Sequence, residues 1–268
     1  MSNTIKGTAL VTGASTGLGA VYADRLARRG HDLILVARDG ARMEALATKL
    51  RAETGRTIEV LPADLTAAGD VARVAERLAE DGTITMLVNN AGMSLDGGLL
   101  DNAPAKLEQL IALNITTPTL LAAAAGKAFV ARKAGTIVNI ASVLALAPEA
   151  FDGVYSGSKA YLLNLSLSLS GQTAEAGVHV QAVLPGATRT EIWARSGKDI
   201  DAFPAELVME AGDLVDAALL GLDRGETVTI PPLADEGQWT AYTEARLAMA
   251  PNLSRRDPAP RYREAVAA

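Results

Sequence analysis

Short aliphatic runs alternate with longer helical patterns along most of this chain, and the alternation restricts the folds available to it. The runs are Thr8–Thr12, His31–Ala37, Thr57–Leu61, Ile84–Val88, Thr136–Ile140, Val178–Leu184 and Val228–Ile230. Runs with consecutive apolar residues are typical of strands buried on both faces of a parallel sheet. We therefore predict an α/β fold, a doubly wound parallel sheet of about seven strands with helices on both faces.

The segments between these runs complete the predicted architecture. Helices are expected at Leu18–Arg29, Arg42–Thr54, near Ala67–Glu80, at Pro104–Val130 in one or two segments, and at Gly153–Ala176. No linker rich in proline, glycine or serine divides the chain. The sequence predicts a single domain over residues 1–268, with an irregular insertion near residues 190–211 and a loosely docked C-terminal tail near residues 252–268.

Composition excludes several kinds of chemistry. The chain has 25 basic and 31 acidic residues, a net charge of −6, so it lacks the basic excess that binds nucleic acid. It has no cysteine, which rules out disulfides and thiolate catalysis. Its two histidines, His31 and His179, lie far apart in sequence, so we expect neither a metal site nor a Ser-His-Asp triad.

The sequence is that expected of a cytoplasmic protein without a membrane partner. The first residues, MSNTIKG, lack the apolar region of a signal peptide. The most apolar stretch, around Leu110–Val130, is interrupted by Asn114, Pro118 and Lys127, so we expect no membrane span.

A glycine-rich turn joins the first strand to the first helix. It reads Thr12-Gly13-Ala14-Ser15-Thr16-Gly17-Leu18-Gly19. Glycines let a pyrophosphate approach the backbone, and the N-terminus of a helix supplies free N–H groups and positive dipole. The motif indicates a dinucleotide site, and the alternative is a ligand-free turn.

The residues at the end of the second strand bear on cofactor choice. An acidic residue here would bind the adenosine ribose, whereas a nearby arginine accommodates a 2′-phosphate. The strand ends at Ala37, and Arg38 follows. We predict NADP rather than NAD, the alternative being a solvated Arg38 with Asp39 as the ribose acceptor.

The ordered set of motifs resembles the short-chain dehydrogenase/reductase family from Thr8 to about Thr190. The matching motifs are TGASTGLG, Ala63-Asp64-Leu65, Asn89-Asn90-Ala91-Gly92, Asn114, Ser142, Tyr155-Ser156-Gly157-Ser158-Lys159, and Pro185-Gly186 with Thr190. The resemblance implies a Rossmann-like fold in which residues 190–211 form a substrate lid. It implies cofactor contacts from Gly13, Ser15, Thr16, Gly17, Leu18, Gly19, Arg38, Asp64, Leu65, Asn90, Ala91, Gly92, Tyr155, Lys159, Pro185, Gly186, Thr188 and Thr190.

The resemblance also assigns individual roles. Asp64 would accept from the adenine amino group, Asn90, Ala91 and Gly92 would lie along the cofactor, and Asn89 would brace the sheet. Thr188 and Thr190 would contact the nicotinamide carboxamide, although a plain loop role for Thr188 stays open.

The four catalytic residues implied by the resemblance are Asn114, Ser142, Tyr155 and Lys159. Tyr155 and Lys159 are four residues apart, so they share one face of a helix. A tyrosine with its usual pKa of ~10 exchanges protons poorly near neutrality, and a nearby ammonium together with an oxidised nicotinamide lowers that pKa. Ser142 would hold the substrate carbonyl. Asn114 would sit at a kink and hold a water that links Lys159 to solvent.

The function expected from these features is NADPH-dependent interconversion of a ketone or aldehyde and an alcohol, with hydride from the nicotinamide and Tyr155 as general acid and base. One alternative is a catalytically idle dinucleotide-binding sensor or scaffold. Another is an epimerase or dehydratase of the extended branch of the superfamily, which the short chain and the glycine spacing disfavour.

The substrate is a small carbonyl compound or alcohol of unspecified identity. The family's substrate walls correspond to Val143–Leu146, Glu149–Asp152 and Glu191–Trp193, which indicate an apolar pocket with an acidic rim. Phe151 and Trp193 would line it or simply pack beneath the lid. The predicted helices Pro104–Val130 and Gly153–Ala176 are apolar on more than one face, so we expect a homotetramer or homodimer.

Overall fold

The computed structural model describes residues 7–150 and 152–263. The chain divides into two compact units, residues 1–231 and residues 232–268. The first unit contains strands β1 (Thr8–Thr12), β2 (Asp32–Ala37), β3 (Ile58–Pro62), β4 (Ile84–Asn89), β5 (Gly135–Ile140), β6 (Val178–Val183), β7 (Thr188–Arg189), β8 (Met209–Glu210) and β9 (Val228–Thr229). The predicted strands are confirmed within one or two residues at each end.

The same unit contains eight α-helices among its described residues. They are α1 (Gly17–Arg28), α2 (Gly40–Thr54), α3 (Ala68–Glu80), α4 (Pro104–Ile111), α5 (Thr117–Arg132), α6 (Gly153–Thr173), α7 (Ile192–Arg195) and α8 (Ala211–Asp223). The second unit contains α9 (Glu236–Met249). The predicted long helix Gly153–Ala176 ends in a short 3₁₀ turn, Ala174–Ala176.

The main sheet has seven parallel strands in the order β3-β2-β1-β4-β5-β6-β9. The predicted Rossmann-like, doubly wound sheet is therefore confirmed. Strands β2 and β3 lie on one side of β1, and strands β4, β5, β6 and β9 lie on the other side. The order reverses between β1 and β4, and ligands of such sheets bind in the crevice at that point, beyond the carboxyl ends of the strands.

Successive residues of each strand enter the two cores on opposite faces of the sheet. Ala9 and Val11 pack in the core beneath α1, α2 and α8, whereas Leu10 between them packs in the core beneath α3 and α5. In β2, Leu33 and Leu35 lie on the first face and Ile34 on the second. Because both faces are covered, most positions of these strands are apolar, which explains the aliphatic runs.

A ladder of buried polar side chains crosses the centre of the sheet. The Asn89 Nδ2 donates to Asn139 Oδ1 at 3.0 Å, and the Asn139 Nδ2 donates to Ser166 Oγ at 2.9 Å. Ser166 in turn donates to the Leu162 carbonyl at 2.7 Å. The ladder joins β4, β5 and α6, which confirms the bracing role expected of Asn89.

The stretch Pro104–Arg132 is helical throughout, with a π-helical turn at Ala112–Thr116 between α4 and α5. It is 29 residues long and contains an 18-residue window with a mean hydropathy of 1.2, so by length and composition it is one described helix able to cross a membrane. The expectation that Asn114, Pro118 and Lys127 would prevent such a stretch was wrong. Leu121, Ala125 and Phe129 are nevertheless buried in the core of the protein, as in a helix that covers a sheet.

Three helices, α7, α8 and α9, were not predicted. Helix α8 buries Leu214, Val215, Ala218 and Leu219 against the first face of the sheet, with a spacing that was visible in the sequence. Helix α9 lies before the predicted tail, in a stretch to which the sequence analysis assigned no element. The insertion near residues 190–211 contains α7 and pairs β7 with β8. The single-domain organisation and the loose tail stay predictions, and residues 264–268 of that tail lie outside the described residues.

Candidate active site

The sequence-predicted residues all follow carboxyl ends of parallel strands, so the fold brings them to one edge of the sheet. Gly13–Gly19 follow β1, Arg38 follows β2, and Asp64 with Leu65 follows β3; Asn90–Gly92 follow β4, Ser142 follows β5, and Pro185–Thr190 follow β6. Asn114, Tyr155 and Lys159 are carried to the same edge by the helical segments after β4 and β5.

Asn90 and Thr12 form the floor of the crevice between β1 and β4. The Thr12 hydroxyl accepts from the backbone N–H groups of Asn90 and Ala91 at 2.9 and 3.0 Å. The Asn90 side-chain amide donates to the carbonyls of Thr12 and Gly13 at 2.9 and 3.3 Å. The Asn90 amide thus secures the glycine-rich turn.

The glycine-rich turn has the shape that a pyrophosphate requires. Gly13 and Gly17 have φ angles of +66° and +55°, which favour glycine. A Cβ on Gly19 would stand 2.3 Å from the Gly13 carbonyl oxygen, so a side chain there would close the turn. The N-cap residue Thr16 makes no side-chain capping bond, and the first N–H groups of α1 therefore remain available to an anion.

The end of β2 presents Arg38 to solvent. Its guanidinium makes neither an ion pair nor a hydrogen bond with any residue in the described part of the chain. Asp39, the alternative ribose acceptor, caps α2 by accepting from the Arg42 N–H at 3.0 Å. Arg38 thus places a positive charge where a 2′-phosphate is expected. The Asp39 carboxylate, which is the alternative ligand for the ribose, is already hydrogen-bonded at the start of α2.

Asp64 is held in its ionised form beside Arg38. Its Oδ1 accepts from the backbone N–H and hydroxyl of Thr66 at 3.0 and 2.8 Å. These hydrogen bonds, aided by the charge of Arg38, hold the pKa of Asp64 below its ordinary value. Leu65 is buried, and its carbonyl accepts from the Thr117 hydroxyl at 2.6 Å, so its N–H is the backbone group left for a ligand.

Asn114 lies within the π-helical turn and ties three segments together. Its Oδ1 accepts from the Met93 N–H, and its Nδ2 donates to the Met93 carbonyl, both at 2.9 Å. The same Nδ2 donates to Ser158 Oγ at 3.1 Å. A Cβ on Gly92 would stand 3.4 Å from both Asn114 Oδ1 and Lys159 Nζ. The irregular backbone expected at Asn114 is present, and Asn114 and Lys159 flank Gly92.

Tyr155 and Lys159 extend from the first turns of α6. Asp152 caps this helix by accepting from the N–H groups of Val154 and Tyr155 at 3.2 and 3.0 Å. The Lys159 Nζ lies 5.6 Å from the centroid of the Tyr155 ring and donates to the Ile140 carbonyl at 2.9 Å. The sequence spacing therefore places both side chains on one face of α6, against the end of β5.

Ser142 completes this group from the opposite side. It lies two residues beyond the end of β5, its Oγ accepts from the Leu144 N–H at 3.1 Å, and its hydroxyl is hydrogen-bonded to Tyr155. Three polar side chains thus converge on one point, where a carbonyl oxygen would find both a serine and a tyrosine hydroxyl.

Burial moves both ionisable groups toward their neutral forms. It raises the pKa of Tyr155 to about 12, although the Ser142 hydrogen bond acts in the opposite direction. It also lowers the pKa of Lys159 to about 8. The predicted lowering of the tyrosine pKa involves an oxidised nicotinamide in the site and stays a prediction; in the chain by itself desolvation is the largest influence. Near neutral pH Tyr155 is a protonated phenol, which is the state that a proton donor needs.

The segment after β6 joins the two halves of the site. The Pro185 carbonyl accepts from the Val143 N–H at 2.9 Å, next to Ser142. Thr188 is buried, and its hydroxyl donates to the Gly186 carbonyl at 3.0 Å. The Thr190 side chain lies 3.3 Å from the position that a Cβ on Gly17 would take. Thr190 therefore reaches the glycine-rich turn, whereas the Thr188 hydroxyl bonds within its own loop.

The predicted substrate walls are only partly as expected. Val143, Leu144 and Leu146 are half-buried and apolar. Trp193 packs with Phe203 at a centroid distance of 4.9 Å and donates to the Thr188 carbonyl at 2.8 Å, as the packing alternative requires. Asp152 and Glu191 do not form an acidic rim: Asp152 caps α6, and Glu191 pairs with Arg42 and Arg195. Phe151 lies outside the described residues.

Sequence reasoning missed the partners that hold these groups. The Asn139–Ser166 contact and the Arg42–Glu191 pair join residues 27 and 149 positions apart. Asn139 gave one signal, because a polar residue within an aliphatic run predicts a buried partner.

Comparison with known proteins agrees with the fold and the motifs. The family model of short chain dehydrogenases matches residues 7–201. Human 17-beta-hydroxysteroid dehydrogenase type 3 is 35% identical over 184 residues, which are 68% of this chain and 59% of that protein. The chain thus spans less than two thirds of that relative's length. This protein belongs to the short-chain dehydrogenase family and is therefore an oxidoreductase.

Two solved structures match nearly the whole chain. A short-chain dehydrogenase from Sphingobium yanoikuyae in complex with NADPH is 50% identical with a TM-score of 0.94, covering 96% of this chain and 100% of that one. A bulky-bulky ketone specific alcohol dehydrogenase from Comamonas testosteroni is 45% identical with a TM-score of 0.89, covering 96% and 99%. The similarity therefore extends beyond the region matched by the family model.

The buried lysine predicts an unusual pH dependence of stability. Lys159→Met should raise the midpoint of thermal unfolding at pH 7 by roughly 2–4 °C, because it removes a cation that burial disfavours. The folded pKa, about 8, lies below the unfolded value of ~10.4, so the cost is full below pH 8 and fades as pH rises toward 10.4.

Thermal unfolding of both proteins from pH 6 to pH 10 measures this difference. The exposed lysine variant Lys106→Met is the control, and it should follow the wild type at every pH. A constant gap between Lys159→Met and the wild type across that range would contradict the account.

Proposed function

We propose that this protein reduces ketones or aldehydes to alcohols with NADPH, or catalyses the reverse oxidation. The observation that carries the proposal is the convergence of Ser142 and Lys159 on a half-buried, protonated Tyr155 at the edge of the sheet that also carries the glycine-rich turn. A dinucleotide-binding sensor would need the turn but not this group of side chains. The complete group favours catalysis over the sensor or scaffold alternative.

The residues of the crevice fit a nicotinamide dinucleotide phosphate. Gly13, Gly17 and Gly19 leave the space that a pyrophosphate would fill, and the exposed Arg38 can form charge-assisted hydrogen bonds to a 2′-phosphate. The Sphingobium protein, 50% identical, has been solved in complex with NADPH. When bound, this cofactor supplies the hydride that reduces the carbonyl carbon.

The chain's own residues supply position and the proton. In reduction, the Tyr155 hydroxyl gives its proton to the carbonyl oxygen, and Ser142 holds that oxygen by a hydrogen bond. A protonated Lys159 stabilises the phenolate left on Tyr155, because it lies over the ring. Asn114 fixes the segment that holds Gly92 next to Lys159, and so sets the route by which Tyr155 regains a proton.

We assign the substrate to apolar ketones with a bulky group on each side of the carbonyl. The Comamonas enzyme, 45% identical, is described as specific for such bulky-bulky ketones. Val143, Leu144 and Leu146 provide half-buried apolar surface directly after Ser142, which suits substituents of this kind.

The function is tested by loss of the proton donor. Tyr155→Phe should lower kcat for ketone reduction by at least ~10²-fold, the usual contribution of a general acid, without weakening NADPH binding. NADPH oxidation is followed with diaryl ketones, methyl ketones, ketoacyl thioesters and ketosugars. Tyr161→Phe is the matched control, because this half-buried tyrosine lies on the same helix and bonds the Thr119 hydroxyl.

Two results would contradict the proposal. A Tyr155→Phe enzyme with near-normal turnover would show that another group is the acid. Tight NADPH binding by a wild-type protein that reduces no carbonyl compound would favour the idle sensor or scaffold.

The cofactor assignment is tested at Arg38. Arg38→Ala should raise the Kd for NADPH roughly tenfold to a hundredfold, since each charge-assisted hydrogen bond contributes ~1.5–3 kcal/mol. The Kd for NADH should change little. Arg56→Ala removes an exposed arginine elsewhere and should leave both constants unchanged. Equal losses for the two cofactors upon Arg38→Ala would refute the role.

We also propose a cytoplasmic homodimer or homotetramer assembled through α4, α5 and α6. The exposed apolar side chains Ile111, Leu120 and Val130 lie along α4 and α5, although Leu121 and Leu162 of the predicted second faces are buried. An exposed apolar stripe on a helix that already covers a sheet indicates a further partner.

Light scattering decides the assembly. The wild-type mass should be a multiple of 27.8 kDa, and Leu120→Glu should lower it, because Leu120 is 48% exposed on α5. Leu100→Glu, at a position 96% exposed outside these helices, should leave the mass unchanged. A wild-type mass near 28 kDa at micromolar concentration would refute the oligomer.

A further inference from the structure

Residues 190–198 follow β7 and connect the two sides of the crevice, and we call this segment the strap. At one end it contacts the glycine-rich turn and α2, and at the other it contacts the loop after β4. Its middle is bonded to β7, since the Trp193 indole donates to the Thr188 carbonyl at 2.8 Å. The arrangement puts one short segment across both the cofactor side and the substrate side of the site.

Glu191 forms the ionic attachment on the cofactor side. The Arg42 Nη1 donates to both of its carboxylate oxygens at 3.1 and 2.9 Å, and the Arg195 Nη2 donates to Oε2 at 2.7 Å. Arg42 lies in the first turn of α2, whereas Glu191 and Arg195 belong to the strap. The hydrogen bond from Arg42 and that from Arg195 lower the pKa of Glu191, so its charge persists at neutral pH.

Arg195 extends this network to the glycine-rich turn. Its Nη2 donates to Thr16 Oγ1 at 3.2 Å, at the N-terminus of α1. A cation is unfavourable at the positive end of a helix dipole, and the Glu191 carboxylate offsets that charge. Thr190 lies beside Gly17 in the same region, so the strap contacts the turn at two points.

The far end of the strap is held by Lys198 and by close packing, and the carboxylates of Asp96 and Asp152 act on the Lys198 charge. The Lys198 Nζ donates to the Leu95 carbonyl at 2.9 Å. Gly197 has a φ angle of +70°, and a Cβ there would stand 3.3 Å from Asp96 Oδ2. This end therefore has its own attachments, through Lys198 and Gly197, whereas the cofactor end depends on the Glu191 pairs.

We propose that Glu191 is a positioning residue that latches the strap onto α2 and the glycine-rich turn and thereby sets the residence time of the bound dinucleotide. The proposal rests on the proposed function. A dinucleotide seated on the turn leaves only after the strap separates from Thr16 and Gly17, and that separation breaks the pairs of Glu191 with α2. Arg42 and Arg195 act through Glu191, so none of the three needs to touch the reacting atoms.

Stopped-flow displacement of NADPH measures the residence time. Glu191→Gln keeps the shape of the side chain and removes its charge, and it should raise the NADPH dissociation rate roughly threefold to tenfold, as the loss of two exposed ion pairs implies. Glu210→Gln is the matched control, because Glu210 pairs with Arg189 at 3.0 Å without contacting the turn. An unchanged dissociation rate for Glu191→Gln overturns the latch.

A double-mutant cycle separates a latch from a phosphate ligand. Arg42→Gln should speed dissociation of NADPH and NADH by the same factor, and adding it to Glu191→Gln should have little further effect. An Arg42→Gln effect confined to NADPH, or one fully additive with Glu191→Gln, would overturn the proposal in favour of direct contact between Arg42 and the 2′-phosphate.

Hydrogen exchange of the cofactor-free protein tests the latch independently of NADPH binding. The N–H groups of Arg195, Ser196 and Lys198 are bonded within the strap. Glu191→Gln should speed their exchange severalfold, while Glu210→Gln should not. If Glu191→Gln lowered the unfolding midpoint without faster exchange in the strap, Glu191 would contribute to the stability of the whole protein and not to the latch, and the proposal would fail. If the wild type bound no NADPH, the proposed function would fail, yet this measurement would still decide whether Glu191 holds the strap.

Discussion

The site depends on the side-chain amide of Asn114. Placed in the π-helical turn between α4 and α5, this amide bonds both the N–H and the carbonyl of Met93 and reaches Ser158 on α6. Three segments that are distant in sequence are thereby fixed relative to one another: the helix over the sheet, the loop after β4, and the helix that carries Tyr155. Displacement of any one would alter the spacing of Gly92, Lys159 and Tyr155 together.

Burial determines the charge states that this framework presents. Burial raises the pKa of Tyr155 to about 12 and lowers that of Lys159 to about 8, so near neutral pH the phenol keeps its proton and most of the lysine is still an ammonium. A protonated phenol suits carbonyl reduction, where a proton must be given to oxygen. The reverse oxidation needs the phenolate, and it is therefore favoured only when another positive charge enters the site.

The sequence was sufficient for the sheet and for the location of the site. Strands buried on both faces leave an unbroken aliphatic pattern, and the parallel arrangement then brings all motifs after β1, β4, β5 and β6 to one edge. The spacing of Tyr155 and Lys159 likewise predicted their shared helix face. These features follow from the local residue pattern and from the order of the strands, and both can be derived from the sequence.

Side-chain partners and charge states could not be derived in the same way. The hydrogen bond of the Asn90 amide to the glycine-rich turn was not predicted, and neither was the pairing of Glu191 with Arg42. Both outcomes depend on which distant side chain is within reach after folding, and residue types alone do not fix that. The raised pKa of Tyr155 depends in turn on solvent exclusion, a property of the packed structure.

The central claim is that Tyr155, Ser142 and Lys159 serve hydride transfer to a carbonyl carbon. It is tested most directly with NADPH that carries deuterium on the transferable position of nicotinamide C4, incubated with the wild-type protein and a ketone bearing two bulky apolar groups. The account predicts an alcohol with one deuterium on its carbinol carbon, detected by mass spectrometry. An absence of deuterated alcohol from every ketone supplied, under conditions where NADPH is bound, would contradict it.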